Sequence, residues 1–381
     1  MKLAIDRSVL LKSLSHMQSV VERRNTVEIL SNIRIEAIGN TVSLHATDMD
    51  LEGHKRVSAV VTEEGVTTVP AHTLFDIVKK LPDGSQVEIS CCDSDPQVCV
   101  RSGRSRFSLS CLCADHFPIM DNCNDPLASD GTSYSHVFRI SARDLHTLID
   151  RTRLAMSTDE TRCYLNGIYL HKASSSGGDV LRAVATDGHR LARADTPLPR
   201  EAETIPGLII PKKTVSELHK LLDGSEDEVE ISLSPVRIRF ALGETVLTSR
   251  LIEGTYPDYE QVIPQDHEIR LEIPREPFLD AVGRVAIVAH DKNRTIRVSF
   301  DKSGLTLSAS STEKGDAQEE IECNHDVEPM VVGFNSRYLL DVMSQIQGEN
   351  ARVLMSDALS PAVVHECTDE SVIYVLMPLR V

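Results

Sequence analysis

Asp187-Gly188-His189 places a carboxylate and an imidazole two residues apart. Both groups ligate divalent ions and both exchange protons, so the pair could serve a metal-dependent hydrolase. No third ligand stands at a recognisable spacing, and there is no His-Glu-x-x-His, Walker loop or Gly-x-Ser-x-Gly. Cys111-x-Cys113 is the other candidate, among nine cysteines at 91, 92, 99, 111, 113, 123, 163, 323 and 367. Their number is odd and Cys-x-x-Cys spacing is absent, which favours neither a zinc site nor a disulfide framework. Reduced, mostly structural thiols are the expectation, given how often cysteine is buried.

The remaining chemistry must come from charge, and the elements that carry it are legible as repeats. The segment from Pro70 to Gly84 aligns with that from Pro211 to Gly224, and a third copy starts at Asn335; Asp76, Glu217 and Asp341 occupy one position in all three. Preceding segments keep the register: Thr41-Val-Ser-Leu-His-Ala-Thr-Asp matches Val180-Leu-Arg-Ala-Val-Ala-Thr-Asp and, more loosely, Gly304-Leu-Thr-Leu-Ser-Ala-Ser-Ser. Each third opens on a helical stripe, as in Leu10, Leu14, Met17 and Val21 or Phe278, Val282, Val285 and Ala289; Leu145, Leu148, Ile149 and Met156 are a looser version. A second helix follows in each, with Leu74, Ile77, Val78 and Leu81 in the first. Asp187-Gly-His is not repeated, because Asp50 and Glu313 stand where His189 does. Short alternating runs, among them 41–45, 87–90, 98–100, 228–232, 236–240 and 353–355, read as antiparallel strands. Helices are too few for crossovers throughout, so the fold class is α+β. Polar segments with Pro or Gly at 121–132 and 256–266 read as the joints.

Composition bounds the function. The chain has 381 residues, 41% hydrophobic and 25% charged, enough for two or three domains with real cores. Forty Lys+Arg against 57 Asp+Glu give a net charge of −17, which argues against a coat for nucleic acid or anionic lipid. Aromatics are 4% and Trp is absent, so a stacking platform for single-stranded bases is not expected. The N-terminal apolar run is too short for a secretory signal and no run approaches a membrane span, so a cytoplasmic protein is expected. The charge is uneven: six helical stretches (6–24, 72–80, 141–153, 212–220, 275–292, 335–347) together carry +6, and the rest −23. At physiological salt charges act over roughly 8 Å, so a mildly basic helical surface can meet a duplex inside an acidic protein.

Four strings then stand out: Arg101-Ser-Gly-Arg-Ser-Arg-Phe-Ser-Leu-Ser, Ala185-Thr-Asp-Gly-His-Arg-Leu-Ala, Tyr256-Pro-Asp-Tyr and Met377-Pro-Leu-Arg. With the threefold repeat they closely resemble, over the whole chain, the bacterial DNA polymerase III beta subunit family of sliding clamps. The resemblance implies three tandem clamp domains, here 1–121, 133–256 and 265–381, each of two helices on antiparallel sheets, forming half of a closed ring. It implies a head-to-tail homodimer around double-stranded DNA, with no cofactor, no metal and no catalysis. Implied partners are the DNA polymerase III alpha subunit, the clamp loader delta subunit, and other polymerases and repair proteins with clamp-binding peptides; no membrane is involved.

By match to that family, Arg24, Arg151, Arg153, Lys212, Lys213 and Tyr164 are expected to face the duplex. Cys163 stands where the family commonly has a second aromatic. A cleft for peptides with Gln and Leu/Phe anchors would use Leu165, Thr186, Gly188, His189, Arg190 and Leu191. It would add Pro257, Val262, Asn335 and Tyr338, and the tail residues Met377, Pro378, Leu379 and Arg380. Gln261 stands where the family commonly has Arg. Apart from the resemblance, the tail 372–381 reads as an apolar edge strand. The subunit interface would set Phe107 and Leu109 against Ile287 and Val288, with Arg104 and Arg106 facing Glu319 and Glu320. Two other readings stay open: a clamp-fold interaction scaffold that never encircles DNA, and a hydrolase at Asp187/His189.

Overall fold

The structure is a computed structural model, described here for residues 1–91, 97–120, 134–289, 294–301, 304–323 and 327–381. Among the described residues the fold is α+β, with six α-helices: α1 (Arg7–Val20), α2 (Ala71–Lys80), α3 (Ala142–Thr152), α4 (Lys212–Leu222), α5 (Arg275–Val285) and α6 (Ser336–Gln345). Every paired strand is antiparallel, as the alternating runs predict. Three helices begin directly after a strand that ends in proline, at Pro70, Pro211 and Pro274. Proline has no N–H for the ladder and its fixed φ suits a helix entry, so one residue ends the strand and starts the helix. Asp6 and Asn335 cap α1 and α6 by accepting from the backbone N–H of Ser8 (2.8 Å) and Arg337 (3.0 Å).

Contacts divide the chain into two compact units. The first holds residues 1–146, 199–205 and 213–251. It contains a five-stranded sheet and an eight-stranded sheet, and in the latter Thr245–Arg250 pairs with Leu51–Ser58, so strands of the first and second repeats form one ladder. Helix α1 buries Leu10, Leu14, Met17 and Val20. Gly53 lets it approach the sheet: a Cβ there would lie 3.0 Å from the Met17 methyl and 3.3 Å from Val20. The second unit holds 147–198, 206–212 and 252–381. Its eight-stranded sheet joins the second and third repeats where Arg190–Pro197 pairs with Val372–Leu376; a four-stranded sheet, with Met330–Asn335 at one edge, completes it. Helix α5 buries Phe278, Ala281, Val282 and Val285.

Several expectations change. The tail is not an edge strand to 381: Val372–Leu376 is interior, paired on both sides, and only Met377 onward leaves the sheet. The stretch 6–24 is helical only to Val20; Val21 stays buried but in extended conformation, continuing the apolar stripe without the helix. The joint at 256–266 is anchored, with Tyr256, Tyr259 and Ile263 buried in one cluster with Leu165, Leu191 and Val375. The joint at 121–132 lies outside the described residues, as do Cys92 and Cys123. The seven described cysteines are free and none is buried; Cys113 and Cys163 are exposed. Cys163 sits in a short 3-10 helix and the others on loops, strand ends or a polar strand face, as Cys99 does opposite its buried neighbours Val98 and Val100.

Candidate functional site

The turn between strands Gly178–Thr186 and Arg190–Pro197 is built by side chains the sequence singles out. Thr186 Oγ1 donates to the Arg190 carbonyl (2.7 Å) and accepts from Gly188 N–H (3.1 Å). The Asp187 carboxylate accepts from the N–H of His189 (2.9 Å) and Arg190 (3.0 Å) and from Arg190 Nε (3.2 Å). Gly188 has φ +88°, a backbone conformation in which an L side chain is strained; a Cβ there would also displace the Arg162 guanidinium, whose Nη1 lies 2.9 Å away. Asp187 is thus a turn-former. Among the described residues no group of three His, Cys, Asp or Glu could hold a metal ion, and nothing completes the hydrolase arrangement considered for Asp187 and His189.

Beside this turn lies a pocket of about 230 Å³. Eight sequence-expected residues line it: Leu165, Thr186, Gly188, Arg190, Leu191, Pro257, Val262 and Met377. Asp258, Tyr259 and Val375 line it too and were missed: Tyr259 looks like linker in sequence, and Val375 like any strand residue. His189, Asn335, Tyr338, Pro378, Leu379 and Arg380 are outside this lining. Arg190 links part of that second group to the pocket. Its guanidinium, on a side chain only 9% exposed, pairs with Asp341 (2.6 Å) on α6 and lies 4.3 Å from the Tyr338 ring centre. His189 accepts at its carbonyl from Met377 N–H (3.0 Å), and Leu379 N–H donates to Gly333 (2.8 Å). Gln261 holds Asp258 (2.8 Å).

A buried polar network backs the pocket wall. Tyr259 O–H meets His171 Nε2 (3.0 Å) and accepts from Arg182 Nη1 (3.3 Å). Arg182 forks onto Asp195 with bonds of 2.7 and 2.8 Å, both side chains being 5–6% exposed. Burial opposes the Arg182 charge, but the bonds to Asp195 and Tyr259 outweigh it and push its pKa up. Burial pushes the His171 pKa down, which favours the neutral ring.

The basic candidates are less uniform than the sequence suggests. Arg24 is exposed, but on a loop beyond α1. Arg153 is exposed and pairs with Asp150 (3.0 Å). Arg151 is less open than the sequence suggests: its side chain is 12% exposed and faces Glu366 (3.9 Å). Lys213 is already engaged within the chain, since its ammonium binds Glu22, Asp48 and the Val20 carbonyl. Two carboxylates against one ammonium leave little net attraction for a phosphate. Lys212 is half-buried, and burial followed by repulsion from Arg190 and Arg337 pushes its pKa down. Tyr164 is half-buried against the core cluster, beside exposed Cys163.

Of the interface candidates, Arg104 and Arg106 are exposed on the hairpin of strands Gln97–Ser102 and Ser105–Ser110; Phe107 is half-buried and Leu109 buried. Ile287 is 71% exposed, with half-buried Val288 beside it. Glu320 is exposed, whereas Glu319 already holds Arg284 of its own chain (Nε to Oε2 3.0 Å), a commitment the sequence did not reveal. Among the described residues no helix is long and apolar enough to cross a membrane.

Comparison with known proteins agrees with this architecture. Residues 1–121, 139–258 and 260–380 match the N-terminal, central and C-terminal domain models of the DNA polymerase III beta subunit. The beta sliding clamp of Caulobacter vibrioides is 46% identical over 381 residues, and that of Escherichia coli K12 is 33% identical over 383, each covering all of both chains. A solved Caulobacter crescentus beta sliding clamp superposes with a TM-score of 0.93 at 46% identity, covering 100% of this chain and 99% of that one. The clamp of Bartonella birtlesii, solved with griselimycin bound, gives 0.94 at 41% identity, covering all of both chains. Three beta-clamp domains therefore follow one another in this chain, which belongs to the DNA polymerase III beta subunit family, the beta sliding clamps.

Proposed function

We propose that two copies of this chain join head to tail into a ring around duplex DNA, and that the pocket beside the Thr186–Arg190 turn tethers the replicative polymerase to that ring. The sliding-clamp role itself comes with the family: the chain is a non-catalytic processivity factor of DNA replication. The ring divides into domains 1–121, 133–256 and 265–381. Its partners are the DNA polymerase III alpha subunit, the clamp loader delta subunit, and other polymerases and repair proteins, met in the cytoplasm. The observation that carries the finer reading is the pocket, where a turn of fixed geometry, a Met wall and apolar Leu165, Leu191 and Val375 stand together. Burying one Leu or Phe anchor there contributes about 1.5–3 kcal/mol, which suits weak, exchangeable peptides once association costs are met.

Arg24, Arg153, Lys212 and Tyr164 are the duplex contacts this reading keeps. A few loose phosphate contacts let a ring slide, and closure supplies retention. After loading, the protein is expected to stay on a nicked circle and to run off a blunt linear duplex. Equal loss from both would favour the scaffold that never encircles DNA. The exposed Ile287 beside Val288 is the apolar half of the proposed interface, against Phe107 and Leu109 of a second copy. Ile287→Ala with Val288→Ala is expected to raise the dimer dissociation constant about tenfold or more, measured by analytical ultracentrifugation, since large-to-small changes at packed sites cost roughly 1 kcal/mol or more each. An unchanged constant would remove these residues from the interface.

A further inference from the structure

The C-terminal residues run over the edge of a sheet, and the residue beneath them is a glycine. Met330–Asn335 is the edge strand of the four-stranded sheet, and Leu379 forms an antiparallel bridge with its Gly333, the Leu379 N–H donating to the Gly333 carbonyl (2.8 Å). A Cβ at 333 would stand 2.3 Å from a Val381 methyl and 2.6 Å from the Leu379 carbonyl oxygen. The second of these contacts is with backbone and cannot be relieved by a rotamer. The backbone of Gly333 itself is not in the left-handed region. Glycine in a strand interior costs stability through lost chain entropy and contributes no packing. Nothing in the strand therefore asks for glycine; the overlying tail does.

The tail is pinned at a second point, where Met377 N–H donates to the carbonyl of His189 (3.0 Å), and Met377 lines the pocket two residues before the Leu379 pin. Two residues beyond Gly333, Asn335 caps α6, the helix that sets Tyr338 against Arg190. One short strand thus supports both the tail and the helix flanking the pocket.

We propose that Gly333 is a positioning residue for the partner cleft: by leaving room for residues 379–381 it holds the tail, and with it Met377, as a wall of the pocket. The proposal rests on the cleft reading given above. Gly333→Ala is the test, made in the full chain and in a chain ending at Pro378, with two readouts. The first, without any ligand, is the rate at which carboxypeptidase Y removes Val381 and Arg380. The second is the affinity, by fluorescence anisotropy, for a fluorescein-labelled synthetic peptide carrying a Gln followed by Leu and Phe anchors.

In the full chain, trimming is expected to speed up about fivefold or more and peptide affinity to fall about three- to tenfold; in the chain ending at Pro378 the substitution is expected to change affinity less than about twofold. Unchanged trimming would overturn the proposal, as would an equal loss of affinity in both backgrounds, which would mean that the effect passes through the strand and not the tail. Should the full-length variant melt early, normal melting of Gly333→Ala in the shortened chain would still assign the strain to the tail, and early melting in both would overturn it. If the unsubstituted chain binds no peptide, the cleft reading fails, while the trimming rate still decides whether Gly333 seats the tail.

Discussion

A chain ending at Leu376 is expected to bind the anchor peptide about a hundredfold more weakly, a loss of roughly 2.7 kcal/mol, while remaining the same oligomer. Residues 377–381 are outside the eight-stranded sheet, so their removal leaves every strand pair of Val372–Leu376 in place and breaks only the Leu379–Gly333 bridge and the Met377–His189 bond. What goes is the Met377 wall and the half-buried Pro378 and Leu379 that follow it. An anchor side chain that loses one wall of its pocket stays partly hydrated and forfeits much of its transfer free energy. None of the proposed interface residues lies in the deleted segment. Anisotropy titration and a sizing column check both halves; a dimer that falls apart on truncation would move the tail from cleft to interface.

The second large effect is on stability. Asp195→Ala is expected to cost about 3–5 kcal/mol, because it leaves the Arg182 guanidinium buried without its fork. Glu260, the remaining carboxylate within reach (3.2 Å), is largely exposed and cannot replace two bonds. In a unit of this size that cost corresponds to a fall of roughly 6–20 °C in the first calorimetric transition. Asp195→Asn keeps an acceptor and is expected to lose less. Since Arg182 also donates to Tyr259, the Ala variant is expected to loosen that side of the pocket and weaken peptide binding as well. Normal melting of Asp195→Ala would show that the pair contributes no net stability.

The helices were legible because burial on one face repeats at the helical period: Leu10, Leu14 and Met17 in α1, and Leu74 and Val78 in α2, are buried as their spacing predicts. Where a helix stops was harder. Val21 continues the stripe of α1 but is extended, because burial does not require a helix.

Sequence alone determined the α+β class, the three copies, the family and most of the pocket lining, since these depend on local periodicity and on strings that keep their order. Tertiary structure alone decided which charges are already spent. Lys213 and Arg151 read as free cations, yet each meets carboxylates far away in the chain, Glu22 and Asp48 for one and Glu366 for the other. It also decided that Val372–Leu376 lies inside a sheet and that Gly333 lies under the tail, because hydrogen-bond partners and steric room come from segments distant in sequence, and no residue's own type specifies them.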